Sequence, residues 1–168
     1  MNTRIVGSLA AAAFLQAATA ALAADISVFK TADLKGSPDA TWSVMGDYCS
    51  IANWHPAVAK CEIASGGGNK VGTVRVLTLG DGGVIREELT AHDAKARSYS
   101  YKILSGPLPV ASYTSTIAVR SGAGGGSVVE WKSTFKATPG SDDATAKKTI
   151  EGVYDAGLSN LQAKEAKK

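Results

Sequence analysis

Arg75, Glu87, Tyr113 and His55 are the side chains in this sequence best suited to chemistry. A cyclisation or dehydration requires a positioned acid or base, and His55, Glu87 and Tyr113 are the candidates for that work. Arg75 could hold an anion beside them. Strand alternation shows why two of these stand out. In Thr73–Leu79, Arg75 shares a face with Leu77 and Leu79. In Val84–Leu89, Glu87 shares a face with Ile85 and Leu89, while Arg86 and Glu88 take the other. Opposite charges therefore fall on the apolar faces of consecutive strands. Unpaired burial of either costs several kcal/mol, so they either pair with each other or hold a polar ligand group and water.

The aromatic residues follow the same pattern. Tyr99 and Tyr101 share a face with Ile103, Tyr113 begins the next strand, and Trp131 falls in line with Val129, Ser133 and Phe135. Tyrosine supplies an apolar wall with a hydroxyl that seeks a partner. A mostly apolar pocket with a few convergent polar groups suits a small ligand. The same residues also suit a filled core with an internal ion pair. On the cavity reading the lining is Arg75, Leu77, Ile85, Glu87, Tyr99, Tyr101, Tyr113 and Trp131, with Val153 and Gly157 facing them from a helix. Glu87→Leu is then expected to alter binding more than folding. No catalytic residue is assigned. His55 precedes Pro56 at a helix–strand junction, where a histidine orders a rim more readily than it performs chemistry.

The elements that must position these residues are a train of hairpins between short helices and a long one. An opening strand over Asp25–Ala32 is followed by a helix begun by Ser37-Pro38, serine capping and proline at the first helical position. Trp42, Met45 and Tyr48 follow at helical spacing. A second brief turn, Ile51–Trp54, is stopped by Pro56. Strands are expected at Val58–Ala64, Thr73–Leu79, Val84–Ala91, Ser98–Leu104, Ser112–Arg120 and Ser127–Lys136. Glycine-rich connectors such as Gly80–Gly83 and Gly122–Gly126 punctuate them. Ser141 is the expected cap of a last helix with Ala146, Ile150, Val153, Tyr154, Gly157, Leu158 and Leu161 on one face. Gly157 in mid-helix is costly unless something must come close. The fold class is α+β: a sheet that ends in a long amphipathic helix can wrap around it and enclose a cavity.

Residues 1–23 read as a secretory signal peptide: Arg4, an apolar run over Ile5–Leu15, and the small-x-small site Ala21-Leu22-Ala23. Cleavage leaves 24–168 as one domain in the periplasm or outside the cell, with no transmembrane anchor. Loss of Arg4 takes the formal charge from +3 to +2. There is no basic stripe with interleaved aromatics, so nucleic acid is not an expected partner. Cys49 and Cys61 are the two cysteines. In an oxidising compartment they can form a disulfide; the alternative is a pair of buried thiols. With no CxxC and with His55 and His92 isolated, no metal site is expected. Phosphate-cradle, nicotinamide, haem and GxSxG signatures are absent, so no cofactor is expected.

The order of strand, two short helices, six further antiparallel strands and a long helix resembles the helix-grip fold. It is similar to the START-like polyketide cyclase/dehydrase and lipid-transport superfamily (SRPBCC), which includes the birch-pollen allergen and the plant abscisic-acid receptors. Gly72–Arg75, Arg86–Leu89, Ser105–Pro109 and Ser112-Tyr113 resemble the receptors' cavity segment. The resemblance implies that Glu87 and Tyr113 face a ligand and that His55, Gly82, Pro107 and Leu108 lie at the cavity mouth. The receptors' gate and latch motifs are missing, so hormone sensing is not implied. Trp54–Val58 with Cys61, and Leu77–Gly83, look like the exported MxaD-like branch linked to periplasmic methanol oxidation. The function implied is a periplasmic protein that carries or senses a small hydrophobic or lipid-like ligand. The alternatives are a cyclase-like enzyme using the same cavity, or an accessory protein docking on a periplasmic dehydrogenase.

Overall fold

Ser37 and Pro38 set the first turn of helix α1 (Pro38–Met45), with Ser37 Oγ accepting the Ala40 N–H at 3.3 Å. A computed structural model of the protein describes residues 25–166. The expected leader lies outside them. Strand β1 (Ile26–Leu34) precedes α1, and α2 (Ile51–Trp54) follows it. The meander β2 (Val58–Ser65), β3 (Val74–Leu79), β4 (Val84–Asp93), β5 (Ser98–Ser105), β6 (Val110–Ser121) and β7 (Ser127–Ala137) leads to α3 (Asp143–Glu165). All neighbours are antiparallel in the order β1-β7-β6-β5-β4-β3-β2. The two short helices thus carry the chain from one edge of the sheet to the other, and the meander brings it back beside β1. This is the helix-grip arrangement expected from the element order.

Several boundaries differ from the sequence reading, β4 for one running on to Asp93, and three of them have a local cause. β1 runs on to Leu34 because it pairs along β7 as far as Ser127. β6 starts at Val110, where a register shift between Ala111 and Thr114 carries Ser112 at φ 52°. The last helix is capped by Asp142, not Ser141: Asp142 is extended and its Oδ1 accepts the Thr145 N–H at 2.8 Å. Its carboxylate also suits the positive helix end. Tyr48 lies beyond α1, in the turn before α2, yet is fully buried.

α3 is held against the sheet by aromatic packing and a histidine. Trp131 stacks on Tyr154 with centroids 4.1 Å apart, and Trp54 meets Trp131 edge-on at 5.5 Å. His55, after α2, donates from Nε2 to the Val153 carbonyl at 2.9 Å, while its Nδ1 accepts the Ala57 N–H at 3.2 Å. Gly157 explains itself here: a Cβ would stand 2.6 Å from His55 Cδ2 and 3.0 Å from Trp131 Cζ3. The helix can approach these rings because that position carries no side chain. At its end Glu165 accepts the N–H groups of Lys35 (2.7 Å) and Gly36 (3.2 Å).

The disulfide Cys49–Cys61 ties the turn between the helices to edge strand β2, with Cα atoms 5.6 Å apart. A loop of this length contributes roughly 3 kcal/mol by restricting the unfolded chain. Full reduction should lower the melting midpoint by about 10 °C. An unchanged midpoint, with both thiols verified by mass, contradicts that contribution.

Burial lowers the pKa of His55; the Val153 hydrogen bond opposes this and the Arg75 charge adds to it. The folded protein therefore keeps the ring neutral below the ordinary value of about 6.5, while the unfolded chain takes up a proton there. His55 thus contributes stability present in full above about pH 6.5 and lost as pH falls from there toward its folded pKa. The slope is at most about 1.4 kcal/mol per pH unit. Urea melts at pH 7.5 and 5.5 should show this loss, and His55→Gln should flatten it. Equal slopes in both proteins place the proton elsewhere.

Candidate functional site

Arg75 and Glu87 stand directly opposite each other in the β3–β4 register. Arg75 Nε donates to Glu87 Oε2 at 2.7 Å, and Nη2 lies 2.7 Å from the same oxygen without good hydrogen-bond alignment. Nη1 donates to the Tyr48 carbonyl. The guanidinium carbon sits 4.1 Å from the Tyr48 ring centroid and 5.2 Å from that of Tyr101. Arg75 is fully buried and Glu87 nearly so, at 4% exposure. Burial works most strongly against the Arg75 charge, but Glu87 together with Tyr99, Tyr48 and Tyr101 outweighs it and holds the group protonated above its usual range. Of the two roles open to these charges, the geometry shows pairing. Glu87→Leu therefore differs from its expected effect: it leaves a buried, uncompensated guanidinium and is a folding lesion.

Behind the pair lies a network of hydroxyls with one direction. Ser115 Oγ donates to the Lys132 carbonyl at 2.9 Å, so its single hydrogen is spent. It accepts from Trp131 Nε1 at 3.1 Å and from the Tyr154 hydroxyl at 3.0 Å. Tyr154, having donated to Ser115, accepts from Tyr113. Trp131 Nε1 also donates to the Tyr101 oxygen at 3.1 Å. Burial raises the pKa of Tyr48, Tyr101, Tyr113 and Tyr154, and pushes Tyr99 up to about 12. These hydroxyls are neutral hydrogen-bonding groups at ordinary pH.

Most of the space between sheet and α3 is filled by these rings. What remains is an inner chamber of about 80 Å³. Of the residues singled out in the sequence, Leu77, Ile85, Glu87, Tyr101, Tyr113, Trp131, Val153, His55 and Leu108 line it. Arg75, Tyr99 and Gly157 do not. Arg75 lies behind Glu87 between the Tyr48 and Tyr101 rings, Tyr99 packs against Tyr48 and Trp42, and Gly157 is covered by His55 and the two tryptophans. A vestibule of about 180 Å³ runs under the β5–β6 loop and shares Ile85, Ile103, Leu108 and Tyr113 with the chamber. Gly82, at φ 88°, belongs to the β3–β4 turn, and Pro107 lies beside that turn: a Cβ on Gly83 would be 3.4 Å from Pro107 Cγ. Neither borders either space. Larger hollows lie outside, an apolar groove of about 450 Å³ between α1 and the end of α3 and an open one over the outer sheet face.

The sequence reading missed Ile51, Ala57, Val58, Leu79, Ile103, Ile150 and Tyr154 as wall residues. Leu79 and Ile103 follow Leu77 and Tyr101 by two residues, so strand alternation places them on the same face. Ile150 and Tyr154 share the apolar face of α3. His55 has both ring nitrogens engaged, which leaves neither available to a substrate.

Comparison with known proteins agrees with this architecture. The XoxI protein of Bacillus cereus is 33% identical and superposes with a TM-score of 0.78, over 83% of this chain and 95% of that one. A Bacillus thuringiensis protein is 32% identical, TM-score 0.77, over 84% and 99% of the two chains. Major latex-like protein 151 of Panax ginseng is 18% identical, TM-score 0.70, over 84% and 97%, a likeness of fold. No match is found among curated proteins. Residues 25–164 match the sequence profile described as polyketide cyclase / dehydrase and lipid transport, and the chain belongs to that family.

Proposed function

We propose that this chain is exported, loses residues 1–23, and as residues 24–168 carries or senses one small, mostly apolar molecule in the chamber beneath α3. The observation that supports this most is the chamber's wall: aliphatic and aromatic on nearly all sides, with Glu87, Tyr101 and Tyr113 reaching it. The family description, which includes lipid transport, agrees. Arg75, Tyr99 and Gly157 then act as supports behind the wall. Leu108 then acts at the mouth, with Gly82 and Pro107 in the adjoining turns, and His55 closes the side facing α2. A cavity of roughly 150 Å³ admits benzene, so any ligand of that size must displace Leu108 and join the two spaces. A cyclase-like role is less well supported, because His55 has no unengaged nitrogen and the tyrosines stay protonated. The likeness to XoxI supports placement in the MxaD-like branch, and with it a second reading: docking on a periplasmic dehydrogenase. A salt-sensitive partner in a periplasmic pull-down, with an empty chamber, favours that reading.

Protein released from the periplasm of an expressing host should show, by native mass spectrometry, an added small mass that vanishes on denaturation. Recovery of the bare polypeptide mass alone, from periplasm and from lipid-supplemented medium, overturns carriage.

A second measurement separates the ion pair's two roles. Glu87→Leu alone should cost about 3–5 kcal/mol, since it strands Arg75. The double variant Arg75→Met/Glu87→Leu removes both charges and should regain most of that stability while the retained mass is lost. A double variant that keeps its ligand excludes Glu87 from binding.

A further inference from the structure

Resting on that binding reading, we infer that the chamber selects an uncharged molecule whose buried polar group is a hydroxyl, an alcohol or phenol, and rejects carboxylates. Both close contacts of Arg75 go to Glu87 Oε2, so Oε1 receives no hydrogen bond among the described residues. The side chain of Glu87 keeps 6% exposure and borders the chamber. Tyr113 spends its hydrogen on Tyr154, because the chain Tyr154 to Ser115 to the Lys132 carbonyl admits one direction. The Tyr113 oxygen therefore offers lone pairs. Tyr101 accepts from Trp131, and its own hydrogen has no partner among the described residues. The wall thus presents two acceptors and one donor.

A hydroxyl matches that set, since it donates once and accepts as well. A carboxylate does not. It brings no hydrogen for Glu87 or Tyr113, carries the same charge as Glu87, and cannot reach Arg75, which is fully buried behind the wall. An ammonium meets a carboxylate already neutralised at 2.7 Å, with the guanidinium close behind it. A pure hydrocarbon leaves the three polar atoms unpaired in a small, mostly apolar chamber. The other polar side chains of the wall are already engaged: both His55 nitrogens, the Trp131 N–H and the Tyr154 hydroxyl have protein partners.

Amide NMR titrations of the mature chain with phenol, benzoate and toluene test this. Phenol should bind about tenfold more tightly than either of the others. Tyr113→Phe, which keeps the ring and removes the acceptor, should reduce the phenol preference several-fold and leave toluene affinity in place. Leu108→Ala, which joins vestibule and chamber, should strengthen all three without changing their order. Benzoate or toluene binding as tightly as phenol overturns the hydroxyl selectivity and leaves the binding site standing. If none of the three binds at millimolar concentration, in wild type or in Leu108→Ala, the binding reading falls and the selectivity with it.

Discussion

The buried pair Arg75–Glu87 is the constraint around which the interior is arranged. Removing two charges from water costs several kcal/mol each, and the interior must return it through geometry. It does so by direct opposition in the β3–β4 register, by the Tyr48 carbonyl on the third guanidinium nitrogen, and by tyrosine faces on the cation. Each of these contacts fixes a separate element. The register fixes two strands, and the carbonyl fixes the turn between α1 and α2. That turn is secured again one residue later, where Cys49 bonds Cys61 of β2. The ion pair and the disulfide therefore hold the same segment from two directions. Glu87 is left with one oxygen committed to Arg75 and one without a hydrogen bond among the described residues, so a single carboxylate belongs both to the ion pair and to the chamber wall.

Much of this arrangement was legible in the sequence, for a definite reason. Strand parity has a period of two, and a run such as Arg86-Glu87-Glu88 must send its middle member to the opposite face from its neighbours. Parity alone turns Glu87 and Arg75 inward. Gly157 announced a close approach because glycine in mid-helix is otherwise unfavourable, and the rings of His55 and Trp131 supply it. What parity cannot give is volume. Tyr99, Tyr101, Tyr113, Trp131 and Tyr154 fit a hollow wall and a filled core equally well, and side-chain rotation decides between them. The rings pack on one another, Trp131 stacked on Tyr154 among them, so the interior is mainly filled with a small chamber left over. The direction of the hydroxyl network was equally hidden, because it depends on Ser115 donating to a backbone carbonyl on the neighbouring strand.

The chamber's walls differ in how firmly they are held, and this locates where any opening must occur. The side facing α2 is fixed by the disulfide, by both nitrogens of His55, and by the close seat of Gly157. The floor is the ion pair. The side facing the vestibule is formed by Ile85, Ile103, Tyr113 and Leu108, and Leu108 lies in the β5–β6 loop, whose backbone ties include Val110 N–H to the Leu108 carbonyl and Thr138 N–H to that of Pro109. No side-chain hydrogen bond reaches Gly106–Pro109 from the described residues. Moving the Leu108 side chain breaks no hydrogen bond, whereas moving Glu87, Tyr101, Tyr113, Trp131 or Tyr154 disturbs a charge or a hydroxyl chain. The lowest-cost deformation is thus the one that joins vestibule and chamber. An interior that looks nearly solid at rest is consistent with ligand entry on that side alone.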